Sequence, residues 1–407
     1  MKVIELKQML PSLRGLAVAA AAAAAFATGA AQAETVRIGA PLALTGGLAS
    51  SGKKQALAYE IWLEKVKAAG GIKVGDKMYD VELVTYDYQT DGQKAAQLAE
   101  KLIVDDKVDF LTAPFGSGHT KITAAVAERY DVPIIAVASS EAVHDQGFVN
   151  LFGTLAPSGG LVDVMLEEFP KAIPGVKRVA VLGREDVFPN LMAKLMAKKA
   201  PEAGFDLVYE GTFPVGAIDH SASLAALKAA KPDWIYVTGY SQDLILVRKQ
   251  MADNGVSAPI VTMITGPVYS EFVDALGPLA EGVSSATWWH WATDYKSDDV
   301  FGSTKAFYDA VVAKTGGEEP DYVHASSAAA LVSLQMAIEK AGTLDRAKVR
   351  QALKDLDVVT FFGPISFRED GMNEARAYPL IQIQGGKPVI VFPEAVKQAD
   401  LSAVAGG

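Results

Sequence analysis

The sequence predicts an α/β protein built as two doubly wound lobes with parallel central sheets, joined by a three-stranded hinge. Two observations carry this. Strand-like apolar runs alternate with helical patterns in two successive series, and runs such as Pro133-Ile-Ile-Ala-Val137 are apolar throughout, without polar alternation. Repeated strand, helix, strand units wind into parallel sheets by right-handed crossovers, and unbroken apolar strands fit sheets covered by helices on both faces. The length of 407 residues allows two or three domains at about 100 to 200 residues each.

The first residues read as an export signal. Lys2, Lys7 and Arg14 precede an apolar run from Leu16 to Ala27, and Ala31-Gln32-Ala33 supplies the small-x-small pattern of a signal-peptidase site. The run is too short for a membrane span. Cleavage after Ala33 removes three bases and one acid, leaving 35 basic and 47 acidic residues, a net −12. With no cysteine at the new N-terminus, a periplasmic protein without a lipid anchor is expected.

From Val36 the first series places strands at Val36 to Pro41, Val81 to Tyr86, Val108 to Thr112 and Val132 to Ala138. Helices lie between them at Lys53 to Ala68, Gln93 to Val104 and Thr120 to Glu128. The second series places strands at Arg178 to Leu182, Leu207 to Thr212, Trp234 to Thr238, Ile260 to Thr262 and Gly282 to Thr287, with helices near 189 to 202, 221 to 230, 241 to 253 and 269 to 275. Helical patterns at 301 to 314, 322 to 341 and 346 to 356 have no sheet of their own and most economically return to lobe one, leaving the last strand-like pieces for lobe two. The expected division is 34–154 plus 288–358 for lobe one, 155–287 plus 359–395 for lobe two, and a tail at 396–407. Crossings are expected near Ala156-Pro157, Trp288 to Trp291 and Phe362-Gly363-Pro364, and two lobes on such a hinge enclose a cleft suited to a small ligand.

Composition excludes several functions. A net charge of −10 and pI near 5.1 disfavour nucleic acid and anionic lipid as partners. The absence of cysteine excludes thiol nucleophiles, zinc-thiolate sites and iron–sulfur clusters. The five histidines show no metal-ligand spacing, and no phosphate loop or Gly-x-Gly-x-x-Gly follows a strand, so neither metal nor cofactor is expected. Ser117 sits in Phe-Gly-Ser-Gly-His, which lacks the outer spacing of a nucleophile elbow.

In open α/β sheets ligands gather beyond the carboxyl ends of the strands, near helix N-termini. Three such loops in lobe one carry glycines and hydroxyls: Thr45 to Gly52, Phe115-Gly-Ser-Gly-His-Thr120 and Ala138-Ser-Ser-Glu141. Together they offer N–H and O–H donors for a carboxylate, although the same hydroxyls would cap helices in any α/β protein. Lobe two faces them with Arg184 to Phe188, Gly239-Tyr240-Ser241 and Thr265-Gly266-Pro267, and a crossing carries Trp288-Trp289-His290-Trp291. On an extended segment Trp289 and Trp291 share one face while Trp288 and His290 share the other, so one pair can wall a cleft.

Val36-Arg-Ile-Gly-Ala-Pro-Leu-Ala-Leu-Thr-Gly-Gly47, Ala69-Gly-Gly-Ile72, Val84-Thr-Tyr-Asp-Tyr88 with Asp91, Val132-Pro-Ile-Ile135 with Ser139-Ser140, and Glu281-Gly282-Val283 occur in an order and spacing that resembles the leucine/isoleucine/valine-binding family of periplasmic solute-binding proteins. The resemblance covers nearly the whole mature chain. It implies two Rossmann-like lobes, a type I binding-protein fold, no catalysis, and delivery of a ligand to an ABC-type permease by what is expected to be a monomer. Matched residue by residue, it implies that Ser117 or Gly118, with His119 beside them, and Ser139, Ser140 and Glu141 hold the ligand carboxylate. Ser51 then packs on the ligand side chain, and Phe188, Tyr240 and Trp291, with Trp289 nearby, supply aromatic contacts. Arg184, at a strand end of lobe two, is a further candidate ligand contact. Thr265 occupies the position where amino-acid-binding members carry the acid that holds the ammonium, and Glu141 replaces a usual threonine. The expected ligand is therefore a small hydrophobic or aromatic carboxylate, with branched-chain or aromatic amino acids as the alternative. An exported hydrolase and a ligand-sensing partner of a receptor are the readings from other classes.

Overall fold

The computed structural model describes residues 34–374 and 378–404; the expected export signal lies outside the described residues. Lobe one is built on β1 (Thr35–Leu42), β2 (Ile72–Val74), β3 (Lys77–Asp87), β4 (Phe110–Thr112), β5 (Ile134–Ala136) and β6 (Leu151–Gly153), in the spatial order β2-β3-β1-β4-β5-β6. All neighbours are parallel except the β2–β3 hairpin. The strand order reverses at β1, which pairs with β3 on one side and β4 on the other, making a switch point where loops splay apart.

After a first crossing the chain builds β7 (Arg178–Arg184), β8 (Asp206–Phe213), β9 (Trp234–Thr238), β10 (Ile260–Ile264) and β11 (Ser284–Ala286). It then returns for the helices Thr304–Thr315, Tyr322–Ala341 and Arg346–Lys354 and for a hairpin of β12 (Asp357–Thr360) and β13 (Gly363–Ser366), and crosses again for β14 (Leu380–Gln384) and β15 (Lys387–Phe392). The second sheet runs β15-β14-β11-β10-β9-β7-β8. Its switch point lies at β7, between β8 and β9, and the last two strands are antiparallel, so this sheet is mixed.

The 322–341 helix packs along the helix Ala49–Ala68 of lobe one. Its middle, Ser326 to Leu334, is buried all round, because an Ala- and Ser-rich helix lets its neighbours approach on every side. Asp321 starts it by accepting from Val323 N at 2.8 Å, and Gly342 ends it in the left-handed region at φ 63°.

Residues 359–373 were expected in lobe two, but they pack on lobe one. Gly153 N donates to Gly371 O at 2.8 Å and Asn373 Nδ2 to Thr154 O at 3.0 Å. The reason is aromatic packing: Phe361 joins Phe301 and Phe307 with centroids 4.7 and 4.4 Å away, and Phe367 meets Phe152 edge-on at 5.2 Å. The third crossing therefore falls after Asn373 rather than at Phe362-Gly363-Pro364. The described part of the expected tail folds back on lobe two, with Val404 N donating to Pro259 O at 2.9 Å.

The crossings are tied to one another. Trp288 Nε1 donates to Ala156 O at 2.9 Å, the Tyr378 hydroxyl to Pro157 O at 2.7 Å, and Thr287 N to Pro379 O at 2.9 Å.

Candidate functional site

The two switch points face each other across the cleft. From lobe one, Gly116 at φ 94° turns the chain after β4 so that Ser117 opens the helix Ser117–Arg129. The first intrahelical bond is Thr120 N to Gly116 O, which leaves the N–H groups of Ser117, Gly118 and His119 without helical partners. Beyond β5, Ser158 Oγ donates to Ser139 O at 2.6 Å and stands 3.0 Å from Ser139 Oγ, which pins the Ser139 hydroxyl at the cavity wall. From lobe two, Phe188 follows β7 and Tyr240 follows β9.

These residues enclose a cavity of ≈ 20 Å³. Phe115, Phe188, Tyr240, Trp288 and Tyr322 form its aromatic walls, Ser117 and Ser139 its hydroxyls, and Val137, Ala138 and Leu155 its aliphatic floor. No lining residue carries an ionised side chain at neutral pH: the lining holds no acid, lysine, arginine or histidine, and burial pushes the already neutral phenols of Tyr240 and Tyr322 further above their ordinary pKa. The space holds about one water, so a ring-sized ligand requires the lobes to part about the crossings.

Of the expected residues, Ser117, Ser139, Phe188 and Tyr240 converge here. The others lie elsewhere. Ser51 is buried in the first turn of the 49–68 helix, away from the cavity lining. Gly118 faces lobe two at close range: a Cβ there would stand 3.2 Å from Asp186 Oδ1. His119 is turned to Thr90 O, 3.3 Å from Nε2, and lies tilted against Tyr88 with ring centroids 5.1 Å apart, with burial lowering its pKa. Ser140 is buried with its hydroxyl unpartnered, outside the lining.

Glu141 does not reach the cavity either. Its Oε1 accepts from Gly159 N at 3.1 Å, so it caps the helix Gly159–Ala172, where the helix dipole favours a carboxylate. Arg184 is held by Asp243 at 2.6 Å and Asp186 at 3.3 Å and lies 5.0 Å from the centroid of Tyr240, making it a support for that ring. Thr265 sits past β10 at φ 71°, an unusual conformation for a β-branched residue, with its hydroxyl buried and unpartnered. Trp289 and Trp291 line a different cavity, and Trp288 faces the ligand cleft instead. The expected pairing of Trp289 with Trp291 holds, but on the other cavity, and His290 joins them there because the strand ends at Ala286 and the chain curls into a 3₁₀ turn over Trp291–Thr293.

Sequence reasoning left Tyr322 out of the site. It lies far along the chain and reads as one more apolar position of a buried helix; only its place at the helix start, beside Asp321, hinted that it could face a cleft. Its hydroxyl meets that of Tyr269 from lobe two at 2.8 Å. Nearby, Lys54 of lobe one bridges Asp321 at 2.8 Å and Glu271 of lobe two at 2.9 Å, and Ser50 Oγ also donates to Glu271 at 2.6 Å. Burial opposes the charge on Lys54, but Asp321 and Glu271 outweigh it and hold its pKa above the ordinary lysine value. These contacts clamp the lobes together beside the cavity.

The periplasmic binding protein family matches residues 35–387, both lobes and the hinge. The chain belongs to this family. This binding protein is 27% identical over 395 residues to Leu/Ile/Val-binding protein homolog 7 of Brucella abortus, covering 93% of this chain and 96% of the relative. A leucine-binding protein from Thermotoga maritima, 25% identical, superimposes with a TM-score of 0.78 over 87% of this chain and 97% of its own. An ABC-transporter solute-binding protein from Rhodopseudomonas palustris in complex with benzoate, 20% identical, has a TM-score of 0.75 and covers 90% of this chain and 98% of its own; it shows the shared fold. These findings bear out the family resemblance and the two-lobed α/β architecture.

Proposed function

We propose that this binding protein captures a small hydrophobic or aromatic carboxylate in the aromatic cavity between its lobes and carries it, as a periplasmic monomer without a lipid anchor, to an inner-membrane permease. One observation carries the reading: the cavity offers donors and rings but no carboxylate. The open N-terminus of the 117–129 helix and the hydroxyls of Ser117 and Ser139 suit an anion, and the rings of Phe115, Phe188, Tyr240, Trp288 and Tyr322 suit a flat or branched apolar body. A zwitterion would bury an ammonium there without a counter-charge, at a cost of several kcal/mol. Of the nearby acids, Asp186 is held by Arg184, and Glu141 caps the 159–172 helix through Oε1 with its Oε2 buried and outside the cavity lining.

The ligand docks on lobe one, and lobe two brings Phe188 and Tyr240 over it while Lys54 and Glu271 meet; the permease then reads the closed form. No bond is made or broken, and His119, the histidine beside Ser117 in sequence, faces Thr90 rather than acting as a base. Export with cleavage after Ala33 belongs to the same proposal. Branched-chain amino acids remain the second reading, favoured by the leucine-binding protein of Thermotoga maritima and by the leucine-, isoleucine-, valine-, threonine- and alanine-binding protein of Pseudomonas aeruginosa, 27% identical over 359 residues. Calorimetric titration of the purified protein with benzoate and with leucine separates the two: benzoate binding without leucine binding supports the carboxylate reading, and the reverse overturns it.

A further inference from the structure

Lobe two brings one polar side chain to the lining of the ligand cavity. Of the lining residues that follow its strands, Phe188 is apolar and Tyr240 carries a hydroxyl. The other polar side chains of the walls are engaged or belong to lobe one. Trp288 Nε1 donates to Ala156 O at 2.9 Å, the Tyr322 hydroxyl meets that of Tyr269 at 2.8 Å, and Ser117 and Ser139 stand on lobe-one loops. The bond from Tyr240 to Asp243 Oδ2 uses the backbone N–H, and among the described residues the Tyr240 hydroxyl donates to no protein oxygen. Nor is it sealed away: the buried, unpartnered polar atoms include those of its neighbours Arg184 and Ser241 but not Tyr240 Oη, so the hydroxyl opens on the space its ring lines. Lobe one shows where it stands. A Cβ on Gly116 would lie 3.4 Å from Tyr240 Oη, which puts the phenol oxygen over the loop that opens the 117–129 helix, beside the N–H groups that have no helical partner. Burial holds the phenol pKa well above its ordinary value, so the proton is there to be donated.

We infer that the Tyr240 hydroxyl is lobe two's donor to the ligand carboxylate and ties anion capture to closure, an assignment that rests on the cleft reading above only in requiring a carboxylate, which benzoate and leucine both carry. An anion at the mouth of the 117–129 helix is held by lobe-one N–H groups and serine hydroxyls in the open form, and gains the phenol O–H only when lobe two arrives. A hydrogen bond to a carboxylate is stronger than one between neutral groups, so it favours the closed form and slows release more than it speeds capture.

Tyr240→Phe keeps the ring and deletes only the hydroxyl. Benzoate and leucine, each labelled with carbon-13 in the carboxyl group, are titrated into the full protein and this variant by calorimetry, with stopped-flow tryptophan fluorescence for the rates and infrared difference spectra for the labelled carboxylate stretch. The expected result is binding at least fivefold weaker in the variant, carried by the off-rate with the on-rate changed less than twofold, together with a shifted carboxylate band and an unchanged melting temperature. Equal affinities, or an unshifted band whatever the affinity, would overturn the inference, because a loss through packing alone leaves the carboxylate in the same hydrogen bonds. Binding of leucine with benzoate refused would overturn the preferred ligand class alone, since the leucine carboxylate still reports on the hydroxyl. A parent protein that binds neither would overturn both.

Discussion

Tyr240 is held for its role by three contacts. Its N–H donates to Asp243 Oδ2 at 3.0 Å, Arg184 lies 5.0 Å from its ring centroid, and its ring meets Phe115 of lobe one edge-on at 6.0 Å. Tyr240→Ala removes a wall of the cavity and should weaken carboxylate binding at least tenfold, about 1.4 kcal/mol or more. Ser139→Ala, which deletes an O–H donor to an anion, should do the same; calorimetry that finds both affinities unchanged would show that the site lies elsewhere. Asp321 gives a pH prediction. Burial alone would raise its pKa, but Lys54 and His324 outweigh burial and hold it well below the usual carboxylate range. Against an unfolded value of about 3.9, the native state then binds fewer protons in acid. The stability it contributes is present above about pH 4 and drains away as pH falls toward the native value. Denaturant midpoints measured from pH 6 down to pH 2.5 should fall less steeply in Asp321→Asn than in the parent, and parallel curves would contradict this assignment.

At the scale of elements, most strands of both sheets and the helices after 300 were legible because their apolar runs are bounded by turn residues; the three-residue strands Ile72–Val74 and Leu151–Gly153 were too short to read. The 159–172 helix was not legible either. Its apolar face, Leu161, Val162, Met165, Leu166 and Phe169, has helical spacing, but Pro157, Gly159-Gly160 and Pro170 read as turn signals. Tertiary contact explains one of those glycines: a Cβ on Gly160 would lie 2.1 Å from Tyr378 Cε2, so the third crossing packs directly on the helix backbone. Gly160→Val should cost about 1–3 kcal/mol by overpacking. Combined with Tyr378→Ala the cost should be partly relieved, a non-additivity that urea midpoints of the single and double variants will read. The site was half legible for a related reason. Ser117, Ser139, Phe188 and Tyr240 follow strand ends, which spacing reveals. By contrast, Glu141, His119 and Arg184 are polar residues in the same loops whose partners, Gly159 N, Thr90 O and Asp243, are fixed only by the fold.

For the whole molecule, the clamp of Lys54, Glu271 and Asp321 and the Tyr269–Tyr322 pair stabilise the closed arrangement without touching the cavity's serines. Glu271→Gln loosens the interlobe ion pair while leaving Lys54 paired with Asp321. It should therefore open the protein more than it unfolds it. Small-angle scattering in the presence of saturating benzoate should give a larger radius of gyration for this variant than for the parent, together with a faster ligand off-rate; identical scattering and off-rates would deny the clamp a role in closure. The central claim concerns charge: an aromatic cavity with donors and no carboxylate takes an anion and rejects a zwitterion. The most direct measurement is calorimetry of two pairs that differ only by the ammonium, 4-methylpentanoate against leucine and 3-phenylpropanoate against phenylalanine. The des-amino acid should bind at least a hundredfold tighter in at least one pair, and tighter binding of leucine or phenylalanine than of its des-amino partner would contradict the account.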